Sequence, residues 1–288
     1  MHLYVPQPEP LHRLPLLLPG SPAFERAMSC MPVTPWSPGG AAARRFVESG
    51  AGGGETGLDI PTPTAFWRME ETGANNRVDS TGSGNDLVPA NEPGNGTGKI
   101  GNCCHFTAYN QKLNLTDNAN MSVGNADFTL AVWIKVNQSH IIGWNSAPGG
   151  KDANAYNTCE YGFFLDPNVP VGKPGFHINN NGGTVEADSQ VPDATWTLLT
   201  GTYDAANDLL GITINNGTRK TVSYSAGTYD GAYTFSIPGN WVVTDPYIPV
   251  TDVDAVGWWK GTCLSADQVN TLYNGGAGTE YYDGYWHP

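Results

Sequence analysis

The sequence predicts an all-β domain: a sandwich of two antiparallel sheets, with one short helix near the C-terminal end and an extended arm before it. Three observations carry that expectation. The 288-residue chain holds 36 Gly and 22 Pro, with 11% aromatic and only 14% charged residues. This is the composition of many short strands joined by turns rather than of helices. Residues 127–136 alternate without a miss: Phe128, Leu130, Val132, Ile134 and Val136 share one face, and Asp127, Thr129, Ala131, Trp133 and Lys135 the other. Such alternation, rich in β-branched side chains, marks a strand with one face in a core and the other toward a second environment. Only residues 266–274 carry a persuasive helical pattern.

Residues 1–57 stand apart as an arm. Nine prolines from Pro6 to Pro38 deny it a long helix or a central strand, and Gly39–Gly40 and residues 50–54 add flexible joints. Its four basic and four acidic side chains cancel, so residues 58–288 carry the whole net charge of -13. The run Leu14, Leu16, Leu17, Leu18 is interrupted by Pro15, so it is not expected to be the core of a cleaved signal peptide. Together with Phe24 and Trp36 it offers apolar surface for anchoring to a partner.

Beyond residue 60 strands are expected at 64–70, 98–106 (Ile100, Cys104 and Phe106 on one face), 112–115, 127–136, 141–144, 161–165 and 175–178. A Gly/Asn-rich loop, 145–160, separates two of them. Residues 195–203, 209–214 and 218–224 form a meander whose last pair closes at Asn216–Gly217, a favoured hairpin dipeptide. Residues 229–249 are aromatic and broken by proline, hence a loop or an edge, and 253–259 is the last long strand. For the helix, Ser265 is the N-cap, Gln268 completes a capping box, and Leu264 with Val269 makes a hydrophobic staple. Gly275 can supply the left-handed stop. The helix is expected to close the open end of the sandwich.

The acidic balance excludes a phosphate-binding footprint, so nucleic acid is not expected as a partner. No apolar run approaches the ~18 residues of a membrane helix. The five cysteines lack zinc-site spacing and are too few for a disulfide scaffold; one bridge, Cys159 to Cys103 or Cys104, stays open.

A family resemblance rests on an ordered series of pieces. They are residues 65–71 (AFWRMEE), Asp79–Ser80 with Gly84–Asn85, residues 98–102 (GKIGN) with Phe106, and 127–133 (DFTLAVW). Then come Trp196 through Asp204, Asn216–Gly217, 253–257 (VDAVG), 264–268 (LSADQ) and 272–276 (LYNGG). In this order, residues 58–280 resemble a laminin-G-like, concanavalin A-like jelly-roll domain. The resemblance implies two antiparallel sheets, one of them concave, with rim loops that bind glycans or proteins, in a module attached to something else. It does not extend to the arm.

That superfamily includes glycoside hydrolases, which need paired carboxylates on one cleft. Neither Glu-x-Asp-x-Glu nor Glu-x-Asp-x-x-Glu occurs, Glu70 and Glu71 are adjacent, and Glu160 and Glu186 lie in or beside loops without a paired acid. A non-catalytic module is expected. Laminin-G-like domains often hold one calcium ion, and Asp79, Asn85 and Asp86 supply hard oxygens in one Gly-rich loop. The competing reading has Asp79 and Asn85 bonding their own loop's backbone. Asp254, matching a recurring acid of the family, is expected to pin a neighbouring loop. For recognition, Trp144, Tyr156, Tyr161, Tyr229, Tyr233, Trp241 and Tyr247 fall in or beside loops, where a flat ring can stack on a sugar or fill a protein pocket. Trp133 and Trp258 are expected to be packed.

The functional expectation is a display or adhesion protein. Residues 1–57 anchor it, in several copies or as a homo-oligomer, to the proteins of a larger assembly, such as a bacteriophage capsid or tail surface, and residues 58–288 face outward toward glycans or proteins. A secreted bacterial binding module and a purely structural cover are the alternatives.

Overall fold

The structure, a computed structural model, describes residues 58–108, 110–140, 149–152, 159–166, 168, 172–179, 182–238 and 250–288. The arm, with Leu14, Leu16, Leu17, Leu18, Phe24 and Trp36, lies outside the described residues. So do Cys30, the strand expected at 141–144, and Trp144, Tyr156, Trp241 and Tyr247.

In chain order the strands are β1 (Ala65–Trp67), β2 (Val88–Ala90), β3 (Gly94–Thr97), β4 (Asn102–His105), β5 (Lys112–Leu115) and β6 (Phe128–Val136). They continue with β7 (Gly150–Asp152), β8 (Cys159–Asp166), β9 (Lys173–Ile178), β10 (Gly183–Glu186), β11 (Thr197–Asp204) and β12 (Leu209–Ile214). The series ends with β13 (Lys220–Ser223), β14 (Thr234–Ile237), β15 (Val250–Lys260), helix α1 (Ala266–Tyr273), β16 (Glu280–Tyr282) and β17 (Tyr285–His287). One sheet runs β13-β12-β11-β6-β15-β4-β3 with β1 also on β15; the second runs β10-β9-β8-β7-β14-β5-β2; β16 and β17 form a separate hairpin. The pairings are antiparallel, so the chain is the expected all-β sandwich.

The two faces of β6 do what their alternation requires. Phe128, Leu130, Val132, Ile134 and Val136 enter the cluster between the sheets, while Ala131 and Trp133 enter a second cluster on the outer side. That second environment is made by α1 and the C-terminal hairpin: Leu264, Val269, Leu272, Tyr281 and Trp286 join Phe66, Trp133 and Trp259 there, and Tyr273 stacks on Trp133 at 5.6 Å. The helix therefore covers the outer face of the first sheet instead of closing an open end, because its Val269–Leu272 stripe packs on the apolar residues of that face. Its capping box is formed, Gln268 N–H donating to Ser265 Oγ and Ser265 N–H to Gln268 Oε1, and Asn274 rather than Gly275 takes the first left-handed position after it. Trp258 faces the inner core, where it stacks on Tyr161 at 4.6 Å.

Other expectations are corrected. Residues 98–101 form a turn closed by Gly98 N–H to the Gly101 carbonyl, not the start of a strand, so Ile100 leaves the predicted face. The β12–β13 connection is longer than a two-residue hairpin, because Asn215 still exchanges hydrogen bonds with Leu198 of β11 after β13 has separated. The segment 229–249 contains β14, which lies in the middle of its sheet between β7 and β5. The disulfide does not form: Cys103 and Cys104 sit on β4 of one sheet and Cys159 on β8 of the other, and all three are free thiols. Sheets about 10 Å apart exceed the Cα separation a disulfide spans. Burial pushes the Cys104 thiol up to about 11.

Asp254 pins the 98–101 turn, accepting from Ile100 N–H at 2.9 Å and Ala255 N–H at 2.8 Å. Burial outweighs these donors and pushes its carboxyl from 3.8 to about 8. A carboxyl held protonated by the fold but ionised in the unfolded chain makes stability fall as pH rises between those values, by at most ~1.4 kcal/mol per pH unit. Thermal denaturation from pH 4 to pH 8 should therefore show a steeper decline for the native protein than for Asp254→Asn; equal slopes would remove this role.

Candidate functional site

One end of the sandwich is closed by two loops, 116–127 and 224–233, that are built into each other. Thr228 donates from its N–H and its hydroxyl to the Gly124 carbonyl, at 3.1 and 2.8 Å. Gly227, at φ +66°, lies so close to Asn125 that a Cβ would stand 2.8 Å from its side chain. The first loop is tied in turn to the core: Trp258 Nε1–H donates to the Asn120 carbonyl at 2.9 Å, and the Tyr161 hydroxyl to the Met121 carbonyl at 2.8 Å.

Beneath both loops lies a buried charged post. A bulge between β7 and β8 places Lys151 opposite Tyr161 and Asp152 opposite Cys159, leaving Glu160 as the extra residue. The bulge turns Glu160 to the same side as Lys151. The fully buried Lys151 ammonium then meets Glu160 Oε2 at 2.7 Å, Asp117 Oδ1 at 2.8 Å and Ser122 Oγ at 2.7 Å, with Asp230 at 3.9 Å. Glu160 accepts from Val123 N–H at 3.3 Å in one loop and Gly231 N–H at 3.4 Å in the other. Burial raises its carboxyl above the usual carboxylate range against the pull of Lys151.

The post displays a small aromatic surface. Tyr229 and Tyr233, both half-buried, stand edge to face at 5.9 Å, while the Asp230 side chain is 71% exposed. Gly231 sits between the rings: a Cβ there would lie 2.2 Å from the Tyr233 ring and 3.0 Å from that of Tyr229. An open cleft lined by Asn207, Asp208, Ser223, Tyr224, Ser225 and Ala226 adjoins the second loop. The arrangement offers ring faces for stacking and outward carboxylates that accept from hydroxyl groups. Gly231→Ala is expected to spread the rings while leaving the fold intact, read as a change in near-ultraviolet circular dichroism at unchanged far-ultraviolet signal.

Of the sequence candidates, this end brings together Tyr229 and Tyr233 and adds Asp117, Lys151, Glu160 and Asp230. Tyr161 is corrected: it is fully buried on the core face of β8, between Trp258 and Phe128, and presents no surface to a ligand. The calcium site is corrected too. The oxygens of Asp79 accept from Phe66 N–H, Thr81 N–H and hydroxyl, and Asn85 N–H and Nδ2, at 2.8–3.2 Å. Asp86 turns its carboxylate to Asp79 N–H at 2.9 Å. Both Asp79 oxygens are spent on neighbouring donors, most of them in its own loop, the behaviour of Asx residues in turns. Glu160 lies in a strand, not a loop, and Glu186 pairs with Lys173 at 3.5 Å.

With this geometry described, comparison with known proteins settles the family. A laminin-G-type family model, described as the concanavalin A-like lectin/glucanases superfamily, matches residues 107–270. The chain belongs to that superfamily. No curated protein sequence matches it. Among solved structures it is similar to domain 4 of the extracellular arabinanase AbnA from Geobacillus stearothermophilus, solved with arabinotriose: 19% identity, TM-score 0.54, covering 72% of this chain and 96% of that one. It is also similar to the ligand-binding domain of botulinum neurotoxin serotype D, solved with N-acetylneuraminic acid, at 12% identity and TM-score 0.55. A third is a Trypanosoma rangeli sialidase, at 15% identity and TM-score 0.54. The matches cover 74% and 77% of this chain, but only 50% of the toxin domain and 34% of the sialidase. At these identities the likeness is one of fold, and the superfamily supplies the sandwich on which this rim is built.

Proposed function

We propose that this chain is a non-catalytic glycan-binding module that takes its ligand on the rim formed by residues 116–127 and 224–233. The observation that carries the reading is the Tyr229–Tyr233 ring pair, held over Gly231 on a loop braced from below by Glu160 and Lys151. Preorganised aromatic rings beside exposed carboxylates suit a sugar, whose C–H faces stack and whose hydroxyls donate. The arabinotriose bound to the arabinanase domain and the N-acetylneuraminic acid bound to the toxin domain support a glycan as the ligand class. The non-catalytic reading is supported by the carboxylates singled out in the sequence and at the rim: among these described residues Glu160 and Asp117 are engaged by Lys151 and Glu186 by Lys173. A glycan array comparing the native protein with Tyr233→Ala tests the assignment. Binding reduced about tenfold or more is expected; native signals at background from folded protein would favour a structural cover.

The setting we infer is display in many copies on a larger assembly, a virion surface above all, with residues 1–57 as the anchor. What supports it is the arm's neutral, proline-rich composition with interspersed Leu, Phe and Trp, beside a domain that carries all the net negative charge. Deleting residues 1–57 should leave a folded domain that no longer co-sediments with the particle. Retention at unchanged stoichiometry would reduce the arm to a linker.

A further inference from the structure

The glycan reading makes no use of Lys151 as a nucleophile, yet its surroundings are those of a reaction centre. The amine is fully buried, with its stem between Tyr161 and Phe235, which pair opposite it on β8 and β14. Its nitrogen is within 2.8 Å of oxygens from two carboxylates that differ in environment. Glu160 is fully buried, whereas the Asp117 side chain is 30% exposed. Ser122 Oγ bridges the two groups, accepting from Lys151 Nζ at 2.7 Å and donating to Asp117 Oδ1 at 3.4 Å.

We propose that Lys151 Nζ and Asp117 Cγ join in an intramolecular isopeptide bond, with Glu160 as the proton carrier. Glu160 accepts a proton from the ammonium, and the neutral amine attacks Asp117 Cγ. The Nζ–Cγ bond forms, one Cγ–O bond breaks, and the departing oxygen leaves as water with two of the three ammonium protons, returned through Glu160. One ammonium and one carboxylate become one neutral amide and one water, so atoms and charge balance without a further reactant. The direction of the Glu160 shift suits this role, since burial makes it the better proton acceptor. Holding amine and carboxyl in contact replaces a bimolecular encounter by an intramolecular one. Removing two charges from a buried site also relieves the desolvation cost that an ion pair there bears. Water leaves on the Asp117 side, the exposed one. The product ties the first rim loop covalently to β7, and through it to the sheet beneath the rings.

The test is the intact mass of the purified full chain, followed by tryptic peptide mapping. The expected mass lies one water, about 18 Da, below that of the sequence. Trypsin should fail to cut after Lys151, and a branched species should join the Asp117 and Lys151 peptides. Asp117→Ala should restore the full mass, and Glu160→Gln should slow or abolish the loss. The native protein alone decides the matter if a variant does not fold. An unmodified mass with separate peptides overturns the proposal, as does a water loss that maps instead to Asp230–Gly231 or Asp283–Gly284. Neither result bears on glycan binding, which the array measures separately.

Discussion

Lys151→Met is expected to destabilise the domain by at least about 3–5 kcal/mol: in the ion-paired form it leaves the buried Glu160 charge uncompensated, and where the amide to Asp117 has formed it removes that bond. The methionine fills much of the lysine stem's space between Tyr161 and Phe235, so the loss is not a cavity effect. Glu160 then keeps only the N–H groups of Val123 and Gly231, and Asp117 keeps Ser122. Urea denaturation of native and variant proteins measures the difference. A change below about 1 kcal/mol, the scale of an exposed pair, would show that the post carries no weight. Replacing Lys151 and Glu160 together by Met and Leu should cost less than the sum of the single changes, because no unpaired charge remains.

Trp258→Ala carries the second large effect, again about 3–5 kcal/mol for an emptied aromatic site. Trp258 is fully buried against Tyr161 and Phe128, at 4.6 and 5.4 Å. Its Nε1–H also holds the Asn120 carbonyl, so the variant should loosen the first rim loop beyond the global loss. Hydrogen exchange at residues 118–125 should rise more than exchange in β11 and β12. A uniform rise would mean that the indole supports the core alone.

What could be read beforehand follows from how strongly each element repeats a pattern. β6 has nine residues in which Phe128, Leu130, Val132, Ile134 and Val136 alternate strictly onto one face, with Ala131 and Trp133 on the other, and its two clusters match those faces. α1 announces itself through Ser265 and Gln268, whose reciprocal bonds are local. β7 and β14 have three and four residues, too few to establish a period. In β14 Phe235 and Ile237 enter the core cluster, alternating with Thr234 and Ser236. The C-terminal hairpin carried a usable signal, Asp283–Gly284, whose two positive φ angles are those of a tight reversal.

At the rim, Tyr229 and Tyr233 were identifiable because aromatic residues in a Gly-containing loop have no strand to pack on. Lys151 was not. A lysine beside Gly149–Gly150 reads as a solvated turn, and only the bulge at Glu160, a property of strand register, brings its partners to it. Tyr161, assigned to a loop margin, is placed in the core by the alternation of β8 that it shares with Phe163 and Leu165. Asp79 departs in the opposite direction, since its oxygen-rich loop has the composition of a cation site while both Asp79 oxygens accept from donors of that loop.

The claim that the tyrosine rim is the ligand surface is tested most directly by titrating isotope-labelled protein with arabino-oligosaccharides and sialosides while following its amide resonances. A binding sugar is expected to shift resonances in residues 117–125 and 227–233, and these shifts should vanish in the Tyr229→Ala/Tyr233→Ala double variant. A sugar that binds but moves only resonances elsewhere, such as those of Thr184 and Glu186 on the outer face of the second sheet, would contradict it.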